Sequence, residues 1–450
     1  MPLPSFIRLL AGLLGLIAAN AWAWSNHTIV SYRALEVMPE VVNAMPVTVE
    51  PLETFLRAEE KAIEALLAQQ ETWARANVAA YAARPGQLAF RAAPAHTDAQ
   101  RRLDFLMALR VAPNSRFALY LQSDPRGKPV AGVALRESAV STLPENASSA
   151  AAFVGIQVGQ RVPALAVVAS ASDEPDYGLD INLWEDSPSD WGKLYGFGKL
   201  PFGNPSLSFS TQAPFHMGFY FEDWLILKAA PFLKRTFPML RVYQYSTLSS
   251  LAFRTGHPYW GWRFAGLALH HVQDLTQPYH ASLAPGDSTF RMVTTNTLEM
   301  AGWPRKRDEL VVLLSNRHLA LEKYQHDMML KSARAGQDTA LERALRNTGL
   351  DQHYPAWSDL YARDVVAREA YAAGDKTVAA IVGAVPAGLV SDPAFDFGVK
   401  ENSIDLLGVM AQVDAAKRAA LDAELAELLG HFGAHSRKAL RGILQASTRP

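Results

Sequence analysis

Twelve histidines are spread over 450 residues, and three of them fall within LHHVQDLTQPYHAS, Leu269 to Ser282. His270 and Asp274 stand four apart, so on a helix their side chains share one face. Pro278 fits poorly inside a helix, and the chain is predicted to break near Thr276 or Gln277. Such a break lets His280 swing back towards the same face. Two imidazoles with a carboxylate between them form an ordinary zinc ligand set. A helix end with core histidines gives the same spacing, and His271 is read as one of those.

Four further pieces carry similar chemistry. NRHLALEKYQHD puts His318 and Glu322 four apart on a second helix. His216 follows an aromatic loop in APFHMGFYFED, and SDEPDYGLD sets Asp173, Asp176 and Asp180 among turn-forming residues. His27 lies near the start of the chain. Taken singly, the acidic run reads as solvated turn residues and His318–Glu322 as a surface pair. Together they suggest one cluster.

The elements that must position these groups are mostly helical. SNHTIVSYRALEVM around His27, Glu53 to Ala83 and the region from Met217 onwards show helix-like spacing of apolar residues. Gly374 at the end of DVVAREAYAAG is a plausible helix stop. Residues 84–165 are rich in Pro, Ser and Ala, with short alternating runs such as RFALYLQS. They predict an inserted, irregular or partly β lobe within a single helical domain of residues 24–450. Lys199 to Phe215 predicts a long loop. Its Phe202, Phe209 and Phe215 are candidates for substrate contact, through acyl chains or stacked bases, or simply pin the loop to the core.

The N-terminus, MPLPSFIRLLAGLLGLIAANAWAW, predicts a signal peptide: Arg8, an apolar stretch from Leu9 to Ala19, and an Ala21-Trp22-Ala23 cleavage site. Cleavage there leaves Trp24 as the new amino terminus of a secreted or periplasmic protein. The chain has no cysteine, so export brings no disulfides. A formal net charge of −1 gives no long-range pull towards polyanions, and 49% hydrophobic residues supply ample core.

The order of Trp24, His27, an Asp-Tyr pair, His216, His270-x3-Asp274-x5-His280 and His318-x3-Glu322 resembles the zinc-dependent phospholipase C and S-one/P-one nuclease superfamily. The resemblance covers roughly residues 24–40 and 170–325. It implies a mainly α fold with three zinc ions in one cleft. Its implied ligands are Trp24, through a freed amino group, with His27, Asp176, His216, His270, Asp274, His280, His318 and Glu322. The chain departs from the family in its long Asp176–His216 spacing and, among nucleases, in lacking cysteine.

Such a site hydrolyses a phosphodiester with metal-activated water and needs no side-chain nucleophile. Asp176 or Asp173 is the candidate proton acceptor. The expected activity is that of a phospholipase C-like enzyme acting on a phospholipid, with possible peripheral membrane contact and no protein partner implied. A single-strand-type nuclease or nucleotidase and a non-catalytic zinc-binding protein are the alternatives. A carboxylate di-iron bundle would need paired Glu-x-x-His motifs, which are absent.

Overall fold

The computed structural model describes residues 26–127, 130–143, 152–203, 209–300, 303 and 305–448. Trp24 and the expected signal peptide lie outside them. Helices dominate, with two small antiparallel sheets. No helix among the described residues is long and apolar enough to cross a membrane.

The helix Pro258–Asp274 is the axis of the fold. Proline at its first position suits a helix start, where no intrahelical donor is needed. From Tyr259 to Asp274 every residue is buried, so the helix is walled on all sides. Pro238–Arg254, Ala164–Ala171 and the 33-residue helix Ala415–Ser447 pack against it. One glycine sets the closest approach. A Cβ on Gly266 would stand 2.5 Å from both Ala171 Cβ and Val168 O. Only a residue without a side chain lets Ala164–Ala171, and the acidic turn that follows it, come so near His270.

The break predicted near Thr276 or Gln277 is present. The helix ends at Asp274, and a short helix Pro278–Ala281 restarts after Gln277, whose side chain accepts a hydrogen bond from Tyr279 N at 2.5 Å. At the other end of the chain, Asn26 caps the helix His27–Leu35. It adopts left-handed backbone (φ 73°) and accepts a hydrogen bond from Ile29 N, so His27 is the first helical residue.

Residues 84–165, expected as an inserted, irregular or partly β lobe, hold short strands: Tyr120–Gln122 and Val133–Leu135 flank Phe153–Gly155. The region also contains a 12-residue helix, Asp98–Leu109, closed by a capping box on Thr97 and Gln100. Phe105, Leu109, Phe117, Leu121 and Ile156 belong to the main hydrophobic core, and Arg161–Val162 pairs with Val47–Thr48. The region is stitched into the body. The predicted stop at Gly374 is absent: that helix runs Arg368–Ala384, with Gly374 against Pro285. Packing decides this glycine's use.

Candidate metal centre

Three groups of buried donors converge: His216, His270, His271 and Asp274; His27, Asp176 and His270; and His280, His318 and Glu322. Their ligand atoms lie within 4.8 Å of one another inside each group. Every residue named as a ligand within the described part of the chain is therefore brought to one place.

Asp274 is the hub. Its Oδ2 stands 2.9 Å from His216 Nδ1 and 3.2 Å from His270 Nε2, and its Oδ1 faces His27 Nε2 at 3.3 Å. His216 Nδ1 and His270 Nε2 are themselves 2.9 Å apart. Asp176 Oδ1 lies 3.7 Å from His216 Nδ1 and 3.8 Å from His270 Nε2. Beside this group, His318 Nε2 meets Glu322 Oε1 at 2.6 Å, and His280 Nε2 stands 3.8 Å from the same oxygen.

The outer contacts fix which ring nitrogen faces inwards. His270 Nδ1 donates to Ser172 O at 2.8 Å, and His280 Nδ1 to His216 O at 3.1 Å. His27 Nδ1 donates to Gln273 Oε1 at 2.8 Å, while Gln273 Nε2 is anchored on Ser31 and Ser436. Each bond leaves Nε2 directed at its neighbours, the arrangement in which histidine ligates a metal. Gln277 Nε2 holds Glu322 Oε1 at 3.0 Å.

The acidic run divides its labour in a way the sequence left open. Asp173 accepts from His27 N (2.9 Å), Gln122 Nε2 (3.0 Å) and Tyr177 OH (2.5 Å), so both its oxygens are engaged. Glu174 takes Arg263 bidentately at 2.9 and 2.6 Å. Asp180 pairs with Arg241. Of the four carboxylates, only Asp176 faces the histidines. Asp173, the other proton-acceptor candidate, holds the start of the first helix through His27 N, with both oxygens hydrogen-bonded.

One expectation changes. Phe202 and Phe215 are 2% and 0% exposed and pack into apolar clusters, against Phe219 and against Trp184 and Phe237 respectively. They pin the loop to the core and present no face to a substrate. Phe209, at the start of a 3-10 turn, is partly buried. The expected core histidine His271 is fully buried, and with the His216 ring 5.4 Å away it also stands within ligand distance of His216, His270 and Asp274. Its Nδ1 contacts Phe215 O at 3.2 Å.

Burial and the three carboxylates set the protonation pattern. His280 and His318 are pushed down to about 3 by burial, so both rings are neutral, the form that binds metal. Burial also opposes charge on His27, but the Asp274 hydrogen bond and charge outweigh it and raise the ring to about 9. Asp274 is held well below the usual carboxylate range; burial works against this, and the imidazoles around it prevail. Burial raises Asp176 and Glu322.

The donor set fits divalent cations. Five buried atoms here lack a hydrogen-bond partner: Nε2 of His216, His271 and His280, Asp176 Oδ2 and Glu322 Oε2. At roughly 1–3 kcal/mol each, such atoms would cost on the order of 10 kcal/mol. That is comparable with the net stability of a whole domain. Bound cations would offset this cost. A tetrahedral zinc with bonds of ~2.0–2.1 Å spaces its donors about 3.3 Å apart, close to the 2.9–3.2 Å triangle of His216, His270 and Asp274.

Gln273, Gln277, Gln122, Tyr177 and Arg263 act here without a motif to announce them. Gln273 and Gln277 sit inside the histidine stretch, which is the one signal available. Compared with models of protein families, with curated proteins and with solved structures, the chain matches none.

Proposed function

We propose that this chain is a zinc-dependent phosphodiesterase of the phospholipase C type, exported and processed to begin at Trp24. The observation that carries the reading is the convergence of three groups of buried imidazoles and carboxylates with unpartnered atoms. Three donor groups are in keeping with three ions. The resemblance of the ligand order to the phospholipase C and nuclease superfamily supports zinc as the metal.

His27, His216, His270 and Asp274, with Asp176, would hold one part of the cluster, and His280, His318 and Glu322 the other. Divalent cations held there would supply Lewis acidity to a phosphoester oxygen and lower the pKa of water. The protein's own contribution is preorganisation. Asp274 and Asp176 concentrate negative charge where cations bind, and Gln273, Gln277 and Asp173 lock the orientation of the residues around them. Asp176 Oδ2, buried and unpartnered, is the group suited to accept a proton from the attacking water.

The test is elemental analysis of the purified mature protein together with hydrolysis of a chromogenic phosphodiester, phosphatidylcholine and single-stranded DNA. The expected result is about three zinc per chain and diester cleavage abolished by chelation, with phosphatidylcholine preferred. Cleavage of DNA alone would place the chain with the nucleases, and bound zinc without cleavage of any diester would make it a zinc-binding protein. An extension placed before Trp24 should lower both metal content and activity.

A further inference from the structure

The exposed Trp, Tyr and Phe side chains among the described residues are gathered in one part of the chain: Trp224, Phe290 and Trp303 are 66%, 81% and 64% exposed. Trp224 opens the segment WLILKAAPFLKR, Trp224 to Arg235, which carries three cations and no carboxylate. Trp224 and Leu225 are exposed, Lys228 is exposed with its ammonium 5.7 Å from the Trp224 ring centre, and Lys234 is exposed at the end of the 3-10 helix Pro231–Lys234. Ile226 and Leu233 point the other way, into an apolar cluster.

That cluster ties the face to the metal centre. It contains Met217 and Phe219, which follow His216, and Leu283 and Ala284, which follow His280. Met292 brings in the helix Thr289–Met300, on which Phe290 stands two residues earlier. The segment of Trp224 thus rises from the apolar layer beside two of the candidate ligands, and the helix of Phe290 packs into that layer through Met292.

We infer that Trp224–Arg235 together with Phe290 forms a docking face for an anionic lipid surface. An aromatic and leucine face flanked by lysines, with the neighbouring Asp223 engaged in capping the helix at Leu225 N, is the composition that seats a helix in the bilayer interface. Lys228 and Lys234 supply the charge complementarity, each worth about fivefold in binding to an anionic surface. The inference does not depend on hydrolysis, because it concerns partitioning and not cleavage.

The full-length, metal-loaded protein is sedimented with vesicles of phosphatidylcholine alone and of phosphatidylcholine with one quarter phosphatidylglycerol. Binding is expected to favour the anionic vesicles and to weaken with salt. Trp224→Ala with Phe290→Ala should weaken binding about tenfold or more. Lys228→Gln with Lys234→Gln should remove most of the preference for anionic vesicles. Helical circular dichroism and Tm should be unchanged in both variants, which shows that they fold. No binding to either vesicle, or parent-like binding by the aromatic variant, overturns the inference. So does a parent that is a dimer in solution and becomes monomeric in that variant, which would make the face a protein interface. If vesicle binding behaves as expected while no diester is cleaved, the docking face stands and the enzymatic reading falls.

Discussion

Asp274→Asn exchanges one carboxylate oxygen for an amide nitrogen and keeps the shape of the residue that three imidazoles share. In the chelated protein Asp274 is the main reason His27 titrates near 9 and not at its ordinary 6.5, since burial alone pushes the ring down. A rise of that size corresponds to about 3 kcal/mol of native-state stability. His27 is fully buried, so solvent screening does not reduce the figure much. The sign follows from the direction. A raised pKa favours the protonated ring in the folded state, so the contribution is complete below pH ~6.5 and is lost as the pH climbs through about 9. His216, also raised with Asp274 as its main support, adds in the same direction. The titration of Asp274 itself falls below this window. Denaturant unfolding of chelated parent and variant at pH 6 and pH 9.5 should therefore show a destabilisation larger at pH 6 by about 3 kcal/mol. With zinc bound, the ring must be deprotonated and the pH difference should collapse, while zinc affinity falls at least ~10-fold for the neutral amide. Equal destabilisation at both pH values in the chelated protein would refute the role assigned to Asp274.

Three further outcomes are expected. Gly266→Ala forces a Cβ against Ala171 and the Val168 carbonyl; overpacking of this kind costs roughly 1–3 kcal/mol, read as a lower Tm, and displacing the acidic turn should weaken zinc binding. Arg263→Met leaves Glu174 buried without its bidentate partner and should cost about 3–5 kcal/mol in denaturant unfolding; unchanged stability would mean that the pair is dispensable. Removing metal with a chelator should lower Tm by more than 10 °C or so and restore it on adding zinc, whereas a chelator-insensitive Tm would separate the cluster from folding.

Helical geometry made part of this site legible from local sequence. The four-residue spacing of His270 and Asp274, and of His318 and Glu322, places each pair on one face whatever surrounds it, and Pro278 ends the helix because it lacks a donor and clashes with the preceding turn. Asn26 caps the first helix for equally local reasons. The predominance of helix follows from the same short-range periodicity.

Other features required the assembled chain. Asp173 and Asp176 are three residues apart in one turn, and nothing local says which faces the histidines. His27 N, Gln122 and Tyr177 claim Asp173, and these partners come from 4 to 146 residues away. Phe202 and Phe215 look the same in sequence whether they meet a ligand or the core, and only packing put them inside. His271 reaches the cluster because His216 arrives beside it, and residues 84–165 join the core because their apolar side chains find partners on distant helices. Backbone preferences act over a few residues and can be read directly; the choice of partner depends on which surfaces exclude water together, and that exists only once the chain has folded.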